Sequence, residues 1–139
     1  MEGELMALAD RFKGYVNCYI GYSEPLSHIM YAGCDFLLMP SRVEPCGLNQ
    51  LYALRYGTVP VVRNIGGLKD TVIDYGAEGG FGISMEQSSA GDIAYSVGRA
   101  VELYDDKKKL DEIRVKMMGI NHSWDVSANE YIKLYESII

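Results

Sequence analysis

Two short apolar runs, residues 36–39 and 59–62, constrain this chain more than anything else in its sequence. Neither alternates polar with apolar, so each suits a strand buried on both faces of a sheet. Each is followed by a glycine-bearing loop and then by helical periodicity. This strand–loop–helix alternation predicts a parallel sheet with helices on its faces.

The flanking segments fit that scheme. Residues 4–13 read as a helix with Leu5, Leu8 and Ala9 on one face, and residues 15–20 as a strand broken by Gly21. Ser23 is an N-cap candidate with Pro25 in the first helical turn, where its missing N–H does no harm. Leu26, Ile29, Met30 and Gly33 then share a helical face. The spacing predicts a helix over 47–55 that stops at Tyr56-Gly57. Asn64-Ile65-Gly66-Gly67 reads as a turn, with a helix from about Leu68 and a last strand over 81–84 after Gly79-Gly80. Ser89 and Asp92 make a capping-box pattern. Three apolar stripes follow, each expected to pack into the core. They are Ile93/Val97/Ala100/Val101/Tyr104, Leu110/Ile113/Met117/Met118 and Ala128/Tyr131/Ile132/Tyr135/Ile138/Ile139.

Composition narrows the class. The chain has 139 residues, enough for one domain with a single core. No apolar run approaches the ~18 residues of a membrane span. The acidic start lacks the basic and apolar regions of a signal peptide, so a cytoplasmic location is expected. Cys18, Cys34 and Cys46 form neither a disulfide framework nor a zinc-site spacing. A net charge of −6 argues against nucleic acid or an anionic membrane as partner, but leaves a nucleotide ligand open.

The chemistry is expected on two loops. Residues 40–50, Pro-Ser-Arg-Val-Glu-Pro-Cys-Gly-Leu-Asn-Gln, follow a buried strand and open a helix. Ligands of open α/β sheets bind at the carboxyl ends of strands, where this loop lies. Gly47 permits close backbone approach, and the N–H groups of Leu48, Asn49 and Gln50 would face an anion such as a diphosphate. Gly66 and Gly67, after the next strand, offer a second set of backbone donors. Glu44 either orients a sugar and stabilises charge at an anomeric carbon, or caps the following helix. Arg42 either meets a phosphate or pairs with Glu44 on the surface. Cys46, at a helix start, reads as a small packing residue more than a nucleophile, since no histidine is near it in sequence. Tyr22 could stack on a base, although it is one of eleven tyrosines. His28 and His122 read as structural or surface residues.

Taken together, these stretches resemble the bacterial glycogen/starch synthase family. The matching features are Ile20-Gly21-Tyr22, Ser27-His28, Gly33-Cys34-Asp35, Ser123-Trp124, and above all PSRVEPCGLNQLYALRYGTVPVVRNIGGLKDTV over 40–72. The resemblance covers residues 4–139. It implies the GT-B architecture of two Rossmann-like domains, of which this chain would be the later part of the nucleotide-sugar-binding domain, ending in a helix over about 123–139. It also implies retaining transfer of glucose from ADP-glucose to the non-reducing end of an α-1,4-glucan, without metal or other cofactor. By position, Glu44 matches the acidic residue near the donor glucose. Cys46, Gly47 and Leu48 match the loop on the glucose and phosphate side, and Tyr22 the residue beside adenine. Asn49 stands where the family usually has threonine. Tyr52 stands where related retaining transferases carry a second glutamate, which fits this family and disfavours a sucrose synthase relative.

The family's Arg-x4-Lys segment and Lys-x-Gly-Gly motif have no counterpart here, so this chain by itself is expected to lack transferase activity. The alternative is a stand-alone, non-catalytic nucleotide-sugar-binding module, which ADP binding without turnover would mark. In the family's strand order 3-2-1-4-5-6 the chain would keep strands 3 to 6. The strand over 15–20 is then expected either to dock on the strand over 36–39 or to pair with another molecule through an exposed sheet edge.

Overall fold

A computed structural model describes residues 2–138. Helices α1 (Glu2–Arg11) and α2 (Glu24–Gly33) lead into strand β1 (Phe36–Met39), helix α3 (Asn49–Tyr56) and strand β2 (Val59–Arg63). Helix α4 (Gly66–Thr71) and strand β3 (Ile83–Met85) follow, then α5 (Ala90–Asp105), α6 (Lys107–Met118) and α7 (Trp124–Glu136). The strands form one parallel sheet in the order β1-β2-β3, with Phe36 opposite Val59 and Val61 opposite Ile83.

Both expected strands are present, but only β2 is buried on both faces; in β1, an edge strand among the described residues, Met39 is buried and Leu38 is exposed. Val59, Val61, Ile83 and Met85 face α3, α5 and α6 and pack with Leu54, Ala100, Leu103, Leu110, Ile113 and Met117. Val62 points the other way, with Met39, Leu68 and Val72. Helices thus cover both faces of β2, and each fully buried leucine or isoleucine contributes about 1.5–3 kcal/mol. Pro60 sits inside this central strand, where a missing donor is normally excluded. Val59 N–H donates to Asp35 O on the β1 side, so Pro60 turns its nitrogen toward β3. The β3 ladder begins only at Val61, and no bond is forgone.

Several predicted caps are seen. Ser23 Oγ accepts from Leu26 N–H at 3.4 Å with Pro25 in the first turn, and Ser89 Oγ accepts from Asp92 N–H at 3.1 Å. Arg99 of α5 makes two hydrogen bonds to Asp74, at 2.7 and 2.9 Å. Asp74 also accepts from Ser84 N–H and Gly76 N–H. Burial works to raise the Asp74 carboxyl, but the hydrogen bonds from Arg99, Ser84 and Gly76 and the guanidinium charge outweigh it. They hold the group well below the ordinary carboxylate range. Arg114 of α6 reaches Asp35 and Gly57 O, tying the starts of β1 and β2 to that helix.

Four expectations need correction. Residues 15–20 form no strand and do not dock on β1; they run as irregular chain outside the sheet, with Tyr15 and Tyr19 exposed. A strand needs a neighbour for its backbone groups, and this segment has none among the described residues. The last strand is Ile83–Met85, not 81–84, because Gly82 makes only a single bridge to Asp74. The α7 stripe is not core: Tyr131, Ile132, Tyr135 and Ile138 are all more than half exposed, and Ile139 lies outside the described residues. The α1 face is likewise largely open, with Leu5 and Leu8 exposed. The Leu110/Ile113/Met117 stripe does pack, with only Met118 at the surface, whereas of the Ile93 stripe only Ala100 is buried, Ile93 packs partly against the core, and Val97, Val101 and Tyr104 are exposed. No helix among the described residues is long and apolar enough to cross a membrane.

Candidate functional site

Parallel pairing brings Met39, Arg63 and Met85 to one rim of the sheet, so the loops after β1 and β2 lie side by side there. They touch backbone to backbone. Gly67 N–H donates to Glu44 O at 3.2 Å. A Cβ on Gly66 would strike the Glu44 carbonyl oxygen, and one on Gly67 the Cys46 carbonyl oxygen. The two glycines therefore let the loops interlock, and the Gly67 N–H is engaged by Glu44. It is not the open donor expected from the sequence.

The β1–α3 loop is held at both ends. Arg63, the last residue of β2, donates through Nη1 to Arg42 O at 2.9 Å and through Nε to Glu86 O at 3.2 Å. At the other end Gln50 is fully buried, and its Nε2 donates to Gly47 O (2.9 Å), Cys46 O (3.2 Å) and Thr71 Oγ1 (3.1 Å). All three partners accept, which fixes the orientation of the amide. Gln50 Oε1 is left buried without a partner, a cost of about 1–3 kcal/mol. Gly47 adopts φ 75°, in the left-handed region that favours glycine.

Helix α3 starts after Leu48 with no side chain capping it, so the N–H groups of the exposed Leu48 and Asn49 stay open, whereas Gln50 is fully buried and its N–H is not the open donor expected from the sequence. Any anion, carboxylate or phosphate, is stabilised here, because the helix dipole is positive at this end. Glu44 is half-buried beside this opening, and its Oε2 accepts from Ser41 Oγ at 3.4 Å. It does not cap α3, so that reading falls. Arg42 is exposed and makes no ion pair with Glu44 among the described residues. Cys46 is exposed, not packed inside; its carbonyl accepts from Gln50 Nε2, and its thiol makes only a long contact to Gly47 O at 3.8 Å.

Tyr22 stands apart from Glu44. It is 88% exposed and lines a cleft of about 750 Å³ together with Asn49, Tyr52 and His28. Asn49 is thus the link between the cleft and the start of α3. Behind the cleft, His28 Nδ1 and Tyr56 Oη lie 2.9 Å apart, and Tyr31 stacks on Tyr56. His28 therefore joins α2 to α3, as a structural histidine should, and His122 is exposed. Among the described residues no group of three or more His, Cys, Asp or Glu is placed to hold a metal ion.

The side-chain roles of Arg63, Gln50 and Thr71 were not expected from the sequence, where Gln50 entered only through its backbone N–H. One signal was available: an arginine ending an otherwise apolar buried strand must take its charge to a rim. For the contact between Gln50 and Thr71 no local signal exists, because the two lie 21 positions apart in sequence.

The chain matches the family model described as Glycosyl transferases group 1 over residues 12–117. A glycogen synthase of Flavobacterium johnsoniae is 54% identical over 139 residues, covering 100% of this chain and 29% of that protein. One from Rhizobium johnstonii is 44% identical, covering 100% of this chain and 30% of its own length. The catalytic domain of starch synthase IV from Arabidopsis thaliana, bound to ADP and acarbose, superimposes with a TM-score of 0.86 at 34% identity. That match covers 97% of this chain and 29% of the plant chain. The chain thus spans less than a third of the length of these relatives. With a family match across most of its length and these relatives in agreement, the chain belongs to the group 1 glycosyl transferases.

Proposed function

We propose that this chain is the donor-binding part of a glycogen or starch synthase. The full-length enzyme would transfer glucose from ADP-glucose to the non-reducing end of an α-1,4-glucan with retention of configuration. The observation that carries this reading is the interlocked pair of rim loops beside the uncapped start of α3, with Glu44 half-buried next to it. In this reading the open N–H groups at Leu48 and Asn49, with the close approach allowed by Gly47, hold the diphosphate. Glu44 lies toward the donor glucose, next to Cys46 and Leu48. Arg42 supplies a cation to the phosphates, and Tyr22 lies against the adenine across the cleft from Asn49. Gly66 and Gly67 serve by letting the two loops meet.

The ADP and acarbose bound to the Arabidopsis starch synthase support a nucleotide and a glucan as ligands of the whole enzyme. The reaction proposed uses no metal or other cofactor, takes place in the cytoplasm and involves neither nucleic acid nor membrane. This chain alone carries no transferase activity. Calorimetric titration with ADP and ADP-glucose, with UDP as control, tests the reading. Selective binding of the adenine nucleotides is expected, abolished by Gly47→Val, which places a β-branched residue at φ 75° against Gln50. Absence of ADP binding would overturn the donor-site reading, and glucose transfer by this chain alone would overturn its inactivity.

A further inference from the structure

We propose that Gln50 is a positioning residue for the donor site, coupling the β1–α3 loop to the β2–α4 turn through Thr71. The inference rests on the donor-binding reading of those loops. Gln50 touches no open surface, being 0% exposed, and so would act only through the backbone it holds.

The hydrogen bonds close a ring. Gln50 Nε2 holds Cys46 O and Gly47 O on the first loop and donates to Thr71 Oγ1 on α4. The Thr71 hydroxyl in turn donates a hydrogen bond to Gly67 O at 2.5 Å. Gly67 N–H then returns to the first loop at Glu44 O. Residues 44, 46, 47 and 67 are thereby fixed relative to one another, although 20 or more positions separate the two loops. A glutamine needed only to start α3 would have no use for a partner on α4.

The amide also accounts for the spacing between Gly47 and Gln50. A Cβ on Gly47 would lie 2.5 Å from Gln50 Oε1, so the amide packs directly against the glycine. Gly47 is required by its backbone conformation and by its neighbour together. Moving Gln50 would move the carbonyls on either side of Gly47, and with them the first-turn donors of α3.

The test combines amide hydrogen exchange with ADP titration on this chain, for Gln50→Met, Thr71→Val and Thr71→Ser. The Gly67 amide is the informative probe, because it is hydrogen-bonded and far in sequence from Gln50. Gln50→Met and Thr71→Val are expected to speed its exchange about tenfold, with ADP binding weakened by a similar factor. Exchange at Val61 and Ile83 in the sheet should stay within about twofold. Thr71→Ser, which keeps the hydroxyl, should restore both properties. Unchanged exchange at Gly67 in Gln50→Met overturns the coupling. So does Thr71→Ser behaving as Thr71→Val, or exchange rising equally through the sheet. If the wild type binds no ADP, the donor reading falls, and the exchange pattern still decides whether the two loops are coupled.

Discussion

Replacing Gly67 with alanine adds one methyl group at the point where the two rim loops meet. The new Cβ would overlap the Cys46 carbonyl oxygen and lie 2.6 Å from Cys46 C and 2.7 Å from its Cα. These are backbone atoms, themselves held by Gln50, so no side chain can rotate away. Overpacking of this kind costs about 1–3 kcal/mol. Separating the loops also breaks the Gly67 N–H to Glu44 O bond, a further loss of about 0.5–1.5 kcal/mol. The sum is about 1.5–4.5 kcal/mol, which lowers the melting temperature of a chain of this size by about 5–18 °C. Gly98→Ala is the control. It lies inside α5, where an added Cβ meets nothing within 4 Å. There the substitution should gain about 0.5–1 kcal/mol from helix propensity. Thermal melts of both variants by circular dichroism decide the matter. A Gly67→Ala melt within about 2 °C of wild type would refute the interlocked-loop argument. A drop of equal size in Gly98→Ala would show that the effect belongs to any glycine.

Two further predictions concern stability and association. Asp74→Asn should cost about 2–3 kcal/mol at neutral pH, from the lost ion pair and charged hydrogen bonds. Because the folded-state carboxyl is held below its unfolded value of 3.8, its contribution is present above that value and lost as pH falls through the folded one. Denaturant melts at pH 7 and pH 3 should therefore differ less in Asp74→Asn than in wild type; an equal difference would discount the pair. The free edge of β1 and the half-exposed Leu38 on that strand should promote concentration-dependent association. Light scattering should show the association reduced in Leu38→Lys, and a wild type monomeric at all concentrations would refute the expectation.

Much of this architecture was legible in the residues. The two strands, the parallel pairing, the Ser23 and Ser89 caps and the rim position of residues 40–50 all follow from local pattern. Two stripes of the same helical spacing had opposite fates. Leu110, Ile113 and Met117 are buried, whereas Tyr131, Ile132 and Tyr135 face outward. Periodicity states that a face is apolar, not that another surface exists to meet it. The same applies to residues 15–20, whose strand-like composition finds no partner strand.

The candidate site divides along the same line. The sequence by itself determined which loops reach the rim and where glycine permits unusual backbone, because those depend on neighbours a few positions away. Only the tertiary structure decided what the loop residues do. Gly66 and Gly67 make room for Glu44 and Cys46, Gln50 finds Thr71, and Arg63 finds Arg42 and Glu86. Each of these contacts joins atoms 20 or more residues apart, and their geometry exists only once β1 and β2 have paired. A hydrogen bond is a property of two groups, and the sequence around either one does not contain the other.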